Sequence, residues 1–173
     1  MTKAYNHFIG GEMVTGRSGH YGDIFNPSLG DISGTVSLAN LEEVDLAVKS
    51  AQEAFPGWAA LNPQRRARVM FNFKGLIEKH ADELALIISE EHGKVLADSH
   101  GDIQRGLDVI EFACGIPHLT KGEYSQGAGP GIDVYSMRQP IGVAVGITPF
   151  NFPAMIPMWM FGVAIATGCT FVL

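Results

Sequence analysis

The feature that most limits what this chain can fold into is its last segment. Arg138 is the final charged residue, and from Gln139 to Leu173 there is no Lys, Arg, Asp or Glu. Such an uncharged apolar run fits either a membrane span or a strand–helix–strand unit at the centre of a parallel sheet, where strands are apolar on both faces. Pro140, Pro149, Pro153 and Pro157 divide the run into pieces of about ten to fifteen residues, too short to cross roughly 30 Å of hydrocarbon. The buried unit is the preferred reading and the membrane span the alternative. It predicts a buried strand over 141–147, a turn at TPFNFP, a helix over 154–166 with no polar face, and another apolar strand from 170 to 173.

Upstream the periodicity changes. Residues 6–38 hold short candidate strands at 7–9, 24–26 and 35–38, separated by glycine- and proline-rich turn signals. Asn40 with Glu43 three residues on is a capping-box pattern. Leu41, Val44, Val48, Ala51 and Phe55 follow at helical spacing, and Pro56-Gly57 predicts the end of that helix. Asn62-Pro63 predicts the start of a second, long helix, with an apolar stripe from Val69 to Ile88 and a stop at Gly93. A third helix places Ile103, Leu107, Ile110 and Cys114 on one face and ends at Gly115 and Pro117. GEYSQGAGPG, residues 122–131, reads as a flexible connector, and residues 132–138 as an exposed strand. No internal repeat is present.

Composition excludes several classes. With 46% apolar and 17% charged residues, a formal net charge of −6 and a pI near 5.4, the chain is neither a disordered tail nor a phosphate-backbone binder. Two cysteines, Cys114 and Cys169, do not make a disulfide framework, so a reducing, cytoplasmic setting is expected. The start, MTKAYNHFIGGEM, has no targeting pattern. The chain stops inside an apolar strand, which would leave a sheet edge uncovered, so the natural protein is expected to continue. Both cysteines fall on apolar elements and read as buried and inert. His100 and His118 read as helix and loop residues, and no His/Cys spacing suggests a metal site.

The segment PIGVAVGITPFNFPAMIPMWMFGVAIATGCTF, residues 140–171, closely resembles the first Rossmann strand, turn and helix of the aldehyde dehydrogenase superfamily. FIGGEM, FNPSLGD and the stretch from WAALNPQRRARVMF to ISEEHGK match the same family in order, so the resemblance covers essentially the whole chain. No G-x-G-x-x-G follows the strand, and members of this family use a different turn. PFNFPAMIPMWMF, RRARVMFNF, EFACGIPHLTKGE and the arginine in GDIQRGLD resemble the methylmalonate-semialdehyde dehydrogenase branch.

The resemblance implies an α/β fold in which amino-terminal strands and helices lead into a Rossmann-type parallel sheet. Residues 1–127 would open the NAD-binding domain, 128–139 form an oligomerisation strand, and 140–173 supply an incomplete first βαβ unit. It implies NAD as cofactor, coenzyme A as co-substrate, a small aldehyde substrate, and a homodimer or homotetramer, with no nucleic-acid or membrane partner. The reaction implied is CoA-acylating oxidation of malonate or methylmalonate semialdehyde.

Asn151 matches the asparagine that stabilises the thiohemiacetal oxyanion, a task suited to a preorganised amide N–H. A plain turn residue capping the next helix is the bland alternative. Ile147, Thr148, Pro149, Phe150 and Asn151 match the turn that lines the NAD site. Arg105 matches an arginine that holds the substrate carboxylate, which a guanidinium can grip with two parallel hydrogen bonds. A solvated helix arginine is the alternative. The nucleophilic cysteine, and a Lys-Pro-Ser segment on the adenosine ribose, would lie beyond Leu173. A hydrolytic aldehyde dehydrogenase of another branch, and a non-catalytic assembly module, remain the rival functions.

Overall fold

In the computed structural model, which describes residues 3–173, the capping box forms as expected. The Asn40 side chain accepts the Glu43 N–H at 2.9 Å, and the Glu43 carboxylate accepts the Asn40 N–H at 3.0 Å. It opens α1 (Leu41–Ala59), which runs past Pro56 rather than ending there. A proline forfeits its own N–H but still offers its carbonyl, and Pro56 O accepts from Ala60 N at 3.1 Å. The indole N–H of Trp58 donates to Ile165 O at 2.9 Å and pins that last turn. Met1 and Thr2, the first residues of the segment read for a targeting signal, lie outside the described residues.

The single long second helix is two helices, α2 (Pro63–Lys79) and α3 (Ala81–His92). His80 joins them with φ −108 and ψ 17, off the helical conformation. One residue of break barely disturbs an apolar stripe, so periodicity did not reveal it. Gly93 closes α3 in the left-handed conformation, as expected. The third helix is α4 (Leu96–Cys114), followed by one turn, α5 (Ile116–Leu119).

The amino-terminal strands are β1 (Lys3–Tyr5), β2 (His7–Ile9), β3 (Glu12–Val14), β4 (Tyr21–Asn26) and β5 (Asp31–Ser37). β1, β5 and β4 form one sheet in that order, and β2 and β3 a separate hairpin. The expected connector is instead a hairpin of β6 (Tyr124–Gly129) with β7 (Ile132–Tyr135), the latter ending short of the expected strand. The Asp133 carboxylate accepts the Gly127 N–H at 2.9 Å and also takes the Tyr124 hydroxyl. That side-chain link orders a stretch whose glycines read as loop.

The terminal segment forms β8 (Val143–Val145), α6 (Met155–Thr167) and β9 (Thr170–Val172), with β8 and β9 parallel and Val143 opposite Thr170. The βαβ reading holds. The expected burial of the first strand does not: Ile141 is 90% exposed and Val145 62%. Among the described residues β8 has one neighbour, so Val145 faces solvent while Val143 and Ala144 are half-buried. No helix among the described residues is long and apolar enough to cross a membrane.

The core sits on α4. On one side Ala85, Ile88, Ile103 and Leu107 pack together, and on the other Met70, Ala113, Cys114, Ile116 and Ala166. Two glycines bring α4 and α6 close: a Cβ on Gly106 would lie 2.4 Å from Met158 Cε, and one on Gly162 2.6 Å from Ile110 Cδ1.

Candidate active site

Gly146 N–H donates to Val172 O at 2.9 Å. The chain then leaves the carboxyl end of β8, the edge where parallel α/β sheets bind ligands. Ile147, Pro149, Phe150 and Asn151 are exposed and Thr148 half-buried. Among the described residues, neither Thr148 nor Asn151 spends its side chain on an internal hydrogen bond. Thr148, Pro149 and Phe150 line one side of an open apolar trough of about 1040 Å³, with Phe73, Ile88 and Phe161 among the facing walls.

The bland role for Asn151, capping the following helix, is not what the structure shows. The N-cap of α6 is Ala154, with no hydrogen bond from its own side chain. The Met155 N–H is taken by Asp102 Oδ1 at 2.7 Å, from the middle of α4. Asp102 is wholly buried, and its second oxygen lies 3.4 Å from Lys94 Nζ. That ammonium also sits 4.0 Å from the centroid of the Phe152 ring, a cation–π contact. Glycine-rich dinucleotide folds seat a diphosphate on the N-terminus of the corresponding helix. Here the Asp102 carboxylate already takes the Met155 N–H at the α6 terminus. The exposed turn residues still fit a dinucleotide as a wall, with Phe150 as an apolar face beside the polar groups of Thr148 and Asn151.

Arg105 lies three residues beyond Asp102 on α4 and is exposed. Its carbonyl accepts the Trp159 indole N–H at 3.0 Å, which ties α4 to α6. Its guanidinium makes no ion pair among the described residues and does not line the trough beside Thr148. The structure therefore groups residues 147–151 on one turn and places Arg105 on the helix that anchors that turn.

Cys114 and Cys169 are buried, 7% and 5% exposed, as expected of inert thiols. Burial pushes the Cys114 thiol above its ordinary value, away from a reactive thiolate. No group of side chains among the described residues could hold a metal. Asp102 and Lys94 were missed by sequence reasoning. The signal was the row Ser99, Asp102 and Gly106 at three- and four-residue spacing beside the apolar stripe, all buried.

A parallel βαβ unit with an exposed turn at its carboxyl edge defines a ligand-binding α/β domain of Rossmann type. The chain belongs to the aldehyde dehydrogenase family, whose profile matches residues 13–173. It is 48% identical to malonate-semialdehyde dehydrogenase of Pseudomonas aeruginosa over 97% of its length, covering 34% of that protein. It is also 48% identical to the acylating, mitochondrial methylmalonate-semialdehyde dehydrogenase of Arabidopsis thaliana, covering 96% of this chain and 28% of that one. Among solved structures, a Sinorhizobium meliloti protein assigned as a methylmalonate-semialdehyde dehydrogenase, in complex with NAD, superposes with a TM-score of 0.97 at 56% identity, over 99% of this chain and 35% of that one. The chain thus spans about a third of the length of these relatives.

Proposed function

We propose that this chain is the amino-terminal part of an NAD-dependent, CoA-acylating malonate- or methylmalonate-semialdehyde dehydrogenase, cytoplasmic and a homodimer or homotetramer. The observation that carries the reading is the free amide of Asn151, held on an exposed turn at the carboxyl edge of β8 while Asp102 caps α6 in its place.

The reaction begins when a thiolate, supplied by a cysteine outside these 173 residues, adds to the aldehyde carbon. Negative charge develops on the aldehyde oxygen, and the Asn151 amide N–H stabilises it. Bound at this turn, NAD would supply the acceptor for the hydride of that carbon. Residues 147–151 would form part of the wall that holds it. Arg105 holds the substrate carboxylate through paired hydrogen bonds. The resulting thioester passes its acyl group to coenzyme A, with loss of carbon dioxide, as acetyl- or propionyl-CoA. Residues 128–139 serve the subunit interface.

The test is NADH formation by the full-length enzyme. A semialdehyde should be turned over only with coenzyme A present, and Arg105→Leu should reduce kcat/KM for it about tenfold or more while sparing propanal, because an interaction with a charged group worth about 1.5–3 kcal/mol is lost for one substrate alone. Equal losses for both aldehydes would remove Arg105 from the site. Turnover to the free acid without coenzyme A would favour the hydrolytic branch.

A further inference from the structure

Asp102 is a fully buried carboxylate that no step above uses. Its position is unusual in sequence terms: it reaches 53 residues along the chain to accept the Met155 N–H at 2.7 Å. Its other oxygen fixes Lys94, whose ammonium rests on the Phe152 ring. Both ends of the short segment after Asn151 are therefore held, Phe152 through Lys94 and Met155 directly. Arg105 stands one helical turn further along α4. The carbonyl of Arg105 is itself anchored to α6 through Trp159.

We propose that Asp102, with Lys94, is a positioning residue that fixes the Asn151 turn relative to the Arg105 face of α4. The oxyanion donor is thereby held at one place on the sheet edge, where the oxygen of any aldehyde substrate must meet it. This rests on the functional reading above. An ion pair buried this far is a poor source of stability on its own. Holding a reacting geometry, by contrast, is sensitive to displacements of an ångström.

The experiment follows single-turnover NADH formation in the full-length enzyme, normalised to active sites, with methylmalonate semialdehyde and with propanal. Asp102→Ala should lower the rate constant per site on the order of a hundredfold for both aldehydes. Asp102→Asn, whose amide oxygen still accepts the Met155 N–H, should restore most of that loss. A melting temperature that falls while rate constants stay within about twofold of wild type would make Asp102 structural only and overturn the inference. So would a loss confined to the semialdehyde. Should Asp102→Ala not be recovered folded, Asp102→Ala/Lys94→Met leaves no unpaired buried charge and is judged by the same rates. Asn151→Ala separates the two levels. A collapse there beside wild-type rates in Asp102→Ala sinks this inference alone, whereas an unchanged rate in Asn151→Ala sinks the oxyanion reading and this inference with it.

Discussion

Arg66 sits in the first part of α2, only 5% exposed, and none of its hydrogen-bond partners is a carboxylate. Its guanidinium instead donates to the carbonyls of Ala59 at 3.3 Å, Ala166 at 3.2 Å and Thr167 at 3.4 Å, and to that of Leu61. The Ala59, Ala166 and Thr167 carbonyls end α1 and α6, where unpaired C=O groups and the helix dipole concentrate partial negative charge, and Leu61 lies just past the end of α1. Burial alone pushes the guanidinium below its ordinary value, so desolvation opposes the site and the carbonyls offset it. Arg66→Met removes four bonds to a charged donor and leaves buried acceptors unpaired, each worth about 1–3 kcal/mol. Two of the contacts are long, and the lost desolvation cost returns part of the sum. A net loss of about 3 kcal/mol follows, or about 6–12 °C in Tm for a chain of this size. Arg66→Lys should lose roughly half, because a point charge cannot span two helix ends. Urea unfolding followed by circular dichroism measures both variants. Arg66→Met within about 0.5 kcal/mol of wild type would refute the helix-end role.

Other perturbations probe separate joints. Gly162→Ala should cost about 1–3 kcal/mol by overlap with Ile110 Cδ1; Ile110→Val deletes that atom, so the double variant should be more stable than the sum of the two changes, as read by a double-mutant cycle. Backbone N–H groups of Asn40 and Arg17 hold the Glu43 carboxylate below its ordinary value of 4.5. Its stabilisation is therefore complete above that value and lost as pH falls through the lower folded value. Glu43→Gln should flatten the acid limb of a stability–pH profile, and an unchanged limb would contradict this.

Much of the fold was legible because local chemistry and periodicity agreed. The capping box at Asn40, the α4 stripe and the βαβ unit all formed where spacing placed them. Two of the misses were decided by a single side-chain contact that periodicity does not register. Trp58 bonding Ile165 carries α1 past Pro56, and Asp133 bonding Gly127 orders a glycine-rich stretch. The burial of β8 failed because an apolar run says what a strand requires, while exposure depends on how many neighbours the sheet supplies. The turn bearing Asn151 was legible from its motif. Asp102 was not, since its partner at Met155 lies on another helix.

The central claim is that Asn151 donates to the developing oxyanion. The most direct measurement is the single-turnover rate of NADH formation by full-length Asn151→Ala, with NAD affinity determined separately. The expected result is a loss of about 10²–10³ in rate with NAD binding little changed. A rate equal to wild type would contradict the claim and return Asn151 to the role of a turn residue.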